Sequence, residues 1–197
     1  ASYPLGQLAP APLPNRQDII LTWLQVDNKI KRRNEAASIA NSYQRSEENQ
    51  KLFEKASLSV KEKKTDNAIK LFKQALEKDD KDFVLWTELG SAYFTQEKLS
   101  EAESSYDKAL SLKNDFQPAL LNLGKLYLHQ KNYEKSIEIL TKLLTLDAKS
   151  ADANHYLGEA YLQSKKGSKA VGYLNEAIKL APIEKAEIHL RLAALYN

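Results

Sequence analysis

The sequence predicts an all-α fold, a superhelical solenoid of stacked helical hairpins behind an N-terminal capping helix, and three observations predict it. First, the triplets Leu89-Gly90-Tyr93, Leu123-Gly124-Tyr127 and Leu157-Gly158-Tyr161 recur on a strict period of 34 residues, as stacked helical repeats do. Second, further rows keep that period: Ala68, Ala102, Ser136 and Ala170; Phe72, Tyr106, Leu140 and Leu174; Ala75, Ala109, Leu143 and Ala177. Third, apolar residues fall at helical spacing twice within one period, at Trp86, Leu89, Gly90 and Tyr93 and again at Leu99, Ala102, Tyr106 and Ala109. Each period is therefore a pair of helices.

The first 48 residues stand outside this pattern. Residues 1–15 hold Pro4, Pro10, Pro12 and Pro14 among Tyr3, Leu5, Leu8 and Leu13, a composition that favours polyproline II or extended backbone and excludes a helix. From Arg16 the pattern becomes helical: Ile19, Ile20, Trp23, Leu24 and Ile30 share one stripe, continued by Ala36, Ala37, Ala40 and Tyr43. One long helix or two abutting ones are expected over residues 16–48, covering the apolar end that a terminal repeat leaves open. A sharper reading takes Ile19 to Leu24 with Lys29, Lys31, Arg32 and Arg33 as a basic amphipathic element, but a basic cluster is usually a solvated face.

From Asn49 onward the repeats carry the chain. The pattern Trp86, Leu89, Gly90, Tyr93, Ala102, Tyr106, Ala109 resembles the tetratricopeptide repeat, W-x2-L-G-x2-Y followed by A-x3-F-x2-A and P. On that frame four repeats run over residues 49–82, 83–116, 117–150 and 151–184, and the first helix of a fifth, incomplete repeat occupies 185–197, with Leu192, Ala193 and Tyr196 in place. The consensus tryptophan is present only as Trp86, and the closing proline only as Pro182. The first repeat departs furthest, with Lys55, Ala56 and Ser59 where Leu, Gly and Tyr belong. The small residues have a physical reason: a close helix crossing has no room for a branched side chain, so Gly90 and Ala102 are expected to mark the contact. A helical glycine costs about 1 kcal/mol relative to alanine, so three in register imply tight packing.

The resemblance implies a right-handed superhelix and a function in protein binding, located in a concave groove lined by the first helix of each hairpin. The family's inward-facing places fall on Phe53, Ser57 and Val60 in the first repeat and on Val84, Thr87, Ser91 and Phe94 in the second. They fall on Leu121, Asn122, Lys125, Leu128 and His129 in the third, and on His155, Tyr156, Glu159, Leu162 and Gln163 in the fourth. Such a mixed lining suits an extended or helical peptide with hydrophobic anchors, of which Phe53, Phe94, Leu121, Leu128, Tyr156 and Leu162 are the expected hot spots. The apolar tail of residues 1–14 is a candidate occupant of the groove, its own or a neighbour's, which would give self-association.

One specialisation of the family is not expected. Domains that hold the acidic C-terminal tail of heat-shock chaperones converge lysines, an arginine and asparagines on a terminal carboxylate. The corresponding places here hold Phe53, Ser57, Glu88, Pro118 and Asn122 in one frame, and Thr87, Ser91, Asn122, Asp152 and Tyr156 in the next. A carboxylate would meet Glu88 or Asp152.

Composition and motifs narrow the remaining classes. The chain has 197 residues with 43% hydrophobic and 28% charged, enough for a sizeable core, and no run of 18 apolar residues that would span a membrane. Its formal charge of +3 is spread among acids, which argues against a nucleic-acid footprint. There is no cysteine, which excludes disulfides and thiolate metal sites, and no methionine. The start at Ala1-Ser2 fits a removed signal peptide or an excised fragment equally, so cytoplasmic and extracytoplasmic locations both stand. No enzyme is expected and no cofactor or metal: His129, His155 and His189 are kept apart by helical geometry, and no phosphate loop, nucleophile elbow or HExxH occurs. Two alternatives to a free-standing scaffold are the recruiting arm of a larger enzyme or assembly cut at Asn197, and an RNA-reading helical repeat, against which the 34-residue period and balanced charge speak.

Overall fold

A computed structural model describes residues 43–181, and the expected tail and capping helix up to residue 42, with the fifth-repeat helix, lie outside the described residues. Among the described residues there are eight helices and no strand: α1 (Glu47–Lys61), α2 (Thr65–Lys78), α3 (Phe83–Thr95), α4 (Leu99–Leu112), α5 (Gln117–His129), α6 (Tyr133–Leu146), α7 (Ala151–Gln163) and α8 (Gly167–Leu180). Consecutive helices pack as four hairpins, each against the next. The first helices also meet across repeats, α3 on α5 and α5 on α7, whereas the second helices make no comparable contact with one another. First helices thus form the continuous inner wall and second helices the outer one.

Local chemistry sets each boundary. Ser46, Asp82 and Ser150 cap first helices with side-chain oxygens, Asp82 accepting from the amides of Val84 and Leu85 at 3.0 Å each. Every first helix ends in one motif, in which a residue with positive φ closes the turn: Lys63, Glu97, Lys131 and Lys165, at 58° to 60°. In the second repeat the Glu97 amide donates to the Phe94 carbonyl at 3.0 Å and the Lys98 amide to that of Tyr93 at 3.0 Å. This paired bonding is the Schellman motif. Its recurrence with lysine or glutamate instead of glycine shows that the hydrogen bonds outweigh the roughly 1 kcal/mol that a side chain adds in the left-handed region.

The periodic rows are the core. Phe72, Tyr106, Leu140 and Leu174 are buried, as are Ala68, Ala102, Ser136 and Ala170 and the row from Ala75 to Ala177. The glycines have a different partner from the expected one. A Cβ placed on Gly90 would lie 2.6 Å from Cε1 of Tyr106, on Gly124 2.6 Å from Leu140, and on Gly158 2.7 Å from Leu174. A large side chain from the second helix therefore fills the space each glycine leaves open. The expected row of small residues lies beside this crossing, and in the third repeat it touches the glycine backbone: Ser136 Oγ donates to the Gly124 carbonyl at 2.9 Å.

The N-terminal edge also differs from expectation. Helix was expected to run on through residue 48, but residues 43–46 are not helical, and α1 begins at Glu47. Ser46, with ψ 156°, points its hydroxyl at the Asn49 amide, and Glu47 and Glu48 fill the first turn where the helix dipole favours acids. The preceding residues serve the repeat junction instead. Tyr43 OH donates to Asp79 at 2.8 Å, and Arg45 forms a two-pronged pair with Asp82 at 2.5 and 3.1 Å.

Candidate functional site

The inner wall is built from side chains that link one first helix to the next. Ser91 on α3 is the first link: its hydroxyl accepts from Asn122 Nδ2 on α5 at 3.1 Å and from Tyr106 OH at 3.3 Å, and donates to the Thr87 carbonyl at 3.0 Å. One turn on, the ring of Phe94 meets His129 edge-on at 5.3 Å. His129 also approaches Glu97 at 3.6 Å. Between α5 and α7, the Lys125 ammonium lies 5.3 Å from the ring centre of Tyr156, which stacks on His155 at 5.0 Å. Cation–π and edge-on aromatic pairs contribute about 0.5–1.5 kcal/mol each beyond area burial. The wall is therefore tied together before any partner arrives.

The expected lining residues sort into three depths. Val60 (44% exposed), His129 and Gln163 face solvent. Phe53, Ser57, Ser91, Phe94, Asn122, Lys125, Leu128, Tyr156 and Glu159 are half-buried, as are Val84, Leu121 and Leu162. Of the last three, Val84 and Leu121 pack into clusters at repeat junctions, with Ala109, Phe116 and Ala119 and with Leu120, Leu143 and Ala153, whereas Leu162 packs within its own hairpin on the cluster of Ala170, Leu174 and Ala177. Thr87 (2% exposed) and His155 (8%) are buried, so they shape the wall from behind. Thr87 has turned its hydroxyl to the Phe83 carbonyl at 2.9 Å.

Two residues outside the expected lining matter as much. The Arg45 guanidinium lies 4.1 Å over the ring of Phe53, covering part of the expected anchor while it pairs with Asp82. Glu88 stands half-buried on α3 beside Ser91, in a cavity of about 420 Å³ lined also by Val60, Lys63, Thr65, Ala92 and Thr95. Burial pushes its carboxyl above the usual range, with Arg45 opposing. Sequence held a signal for Glu88, since it occupies a place that other domains give to a clamp residue. For Arg45, 37 residues from Asp82, sequence held none.

The outer wall has its own opening. Between α2 and α4 a cavity of about 520 Å³ is floored by Leu76, Trp86, Leu89 and Tyr93 and rimmed by Lys73, Glu77 and Glu101. Ser105 lines it, at the place where the next repeat has Ile139, which packs against the core. Trp86 is held there by its indole N–H, which donates to the Asp80 carbonyl at 2.8 Å. Among the described residues no three His, Asp or Glu side chains converge on a point that could hold a metal, and no helix is long and apolar enough to cross a membrane.

Comparison with known proteins agrees with this architecture. No curated protein matches by sequence. Among solved structures, the chain is similar to MamA 41-end from Desulfovibrio magneticus RS-1 (TM-score 0.69, 20% identity, 75% of this chain and 82% of that one). It is also similar to PilF of Pseudomonas aeruginosa (TM-score 0.69, 23% identity, 75% and 67%). A third likeness is to the first tetratricopeptide domain of Spaghetti (RPAP3) bound to the HSP90 peptide SRMEEVD (TM-score 0.59, 25% identity, 61% and 96%). Residues 37–197 match the family model of the cilia and flagella-associated protein 70 middle tetratricopeptide-like domain, and the chain belongs to that family.

Proposed function

We propose that the chain is a protein-interaction scaffold that captures an extended or helical peptide segment along its row of first helices. The observation that carries this reading is the inner wall itself. Half-buried Phe94, Leu128 and Tyr156 alternate with the hydrogen-bonding groups of Asn122, Lys125 and His129 on helices that touch across repeats. A groove of that composition anchors apolar side chains and satisfies a peptide backbone. The likeness to a tetratricopeptide domain holding a peptide supports the mode of binding. The absence of the carboxylate-binding residue set points to a different peptide, and the tail of residues 1–14 is one candidate from within the chain.

The test uses peptides selected against the protein by display. Replacing both Phe94 and Leu128 by alanine should leave the helical circular dichroism nearly unchanged and weaken the selected peptides by about tenfold or more, the loss expected of central anchors. Undiminished binding by the double variant would sink the reading. A second reading, the recruiting arm of a larger assembly, is favoured by the matched family being described as the middle domain of a cilia and flagella-associated protein.

A further inference from the structure

The cavity beside Glu88 holds a half-buried carboxylate on the inner wall. Val60 and Ala92 give it apolar sides, and two of the hydroxyls that line it are already engaged: Thr95 donates to the Ser91 carbonyl at 2.9 Å, and Ser91 donates to Thr87 while accepting from Tyr106 and Asn122; Thr65 contributes a third. What remains is the Glu88 carboxylate, to which no side chain among the described residues donates a hydrogen bond. The cation whose charge acts on it, Arg45, is already paired with Asp82. Lys63 stands on the exposed rim, and no ion pair joins it to Glu88. A half-buried carboxylate in a cavity of about 420 Å³ with apolar walls is complementary to a long cationic side chain, whose methylenes would cover Val60 and Ala92 while its charge meets the acid.

We propose that the Glu88 pocket, between the first and second repeats, receives a lysine or arginine side chain of the captured segment. This rests on the groove reading above and adds a polarity to it: the segment carries a positive residue at the N-terminal end of the solenoid. It is the opposite of a carboxylate-receiving groove, since here the acid is supplied by the protein.

The experiment is an amide-resolved NMR titration of the whole chain with acetyl-Leu-Arg-Leu amide, with its counterpart carrying citrulline for arginine, and with one carrying glutamate. Citrulline keeps the shape and loses the charge. The arginine peptide should shift the amides of Glu88, Ser91 and Thr95 in a saturable way, about tenfold more tightly than the citrulline peptide, and Glu88→Gln should abolish that difference. Glu88→Asp, which keeps the charge, should retain part of it, and thermal melts of both variants establish that they fold. Equal binding of the arginine and citrulline peptides overturns the proposal, as does preference for the glutamate peptide, which would assign the pocket to Lys63. Absence of any shift near Glu88 at millimolar peptide also overturns it. Whether Phe94 and Leu128 shift in that case shows if the groove reading falls with it.

Discussion

The first hairpin and the third reach the same fold by different chemistry. In the third, α5 and α6 close through apolar fit: Leu140 fills the space over Gly124, with Leu120, Leu123, Leu126 and Leu143 buried around it and Ser136 the buried hydroxyl. In the first, alanine and serine replace glycine and tyrosine, and side-chain hydrogen bonds add to the buried Ala56, Ala68, Phe72 and Ala75. Asn49 Nδ2 donates to the Ala75 carbonyl at 3.1 Å, Asn67 Nδ2 to Ser59 at 2.8 Å, and the junction to α3 is tied by Arg45 to Asp82 and by Tyr43 to Asp79. Apolar fit is distributed over many contacts, so it tolerates trimming and resists crowding. Polar closure depends on a few pairs, so single substitutions expose it.

The largest effect is expected at the polar junction. Asp82 is fully buried, and Arg45 supplies its counter-charge. Arg45→Ala should lower unfolding stability by about 2–4 kcal/mol, read from urea denaturation, because the carboxylate stays buried with only its two amide donors. Arg45→Lys should restore part of it, since an ammonium cannot reproduce the two-pronged geometry. A loss within 0.5 kcal/mol for the alanine variant would show that the junction is held by apolar contacts after all, erasing the contrast between the hairpins.

The next effect tests the apolar closure. Gly124→Ala should destabilise by about 1–3 kcal/mol although alanine is the better helix former, because the new methyl collides with Leu140 at 2.6 Å. Gly172, also inside a helix, has nothing within 4 Å of an added Cβ, and Gly172→Ala should stabilise by up to about 1 kcal/mol. Thermal melts of the two variants should therefore move in opposite directions. Movement in the same direction would mean that the glycine row is not a set of sockets.

The smallest effect is the share of the alkaline pH dependence that Tyr43 contributes at the polar end; burial raises the Tyr106 and Tyr127 phenols as well. Burial, then the hydrogen bond to Asp79, pushes the Tyr43 phenol from 10.0 up to about 12. A folded-state value above the unfolded one means that its contribution is complete below pH 10 and fades as pH rises towards 12. Hydrogen exchange across that window should show α1 losing protection in the unsubstituted protein, and Tyr43→Phe should reduce that loss in α1 while leaving α5 unchanged. Simultaneous loss along the whole solenoid would point to global unfolding instead.

Particular residues show how far the sequence could be read. The row Phe72, Tyr106, Leu140 and Leu174 was legible because burial repeats with the period, and the Leu-Gly-Tyr frame located the first helices for the same reason. What the glycines touch was not legible: the period names a small residue, and only the crossing decides that Tyr106 or Leu140, and not Ala102, fills the space. Thr87 and His155 share lining register with Ser91 and Tyr156, yet they are buried, because depth depends on what the neighbouring elements place over a residue and not on its spacing along the helix. The expected continuous helix through residue 48 is not seen at residues 43–46, where Ser46 instead caps the start of α1.

By itself, then, the sequence determined the hairpin, its period and the rows of residues that are buried, since these follow from local spacing and side-chain size. Only the tertiary structure decided the pairs. Arg45 with Asp82, Ser91 with Asn122 and Lys125 with Tyr156 come together across repeats, and Glu88 is left in a cavity without a donor among the described residues. Those outcomes depend on how one repeat leans on the next, which no local pattern encodes, because packing geometry is the sum of all the side chains at the crossing.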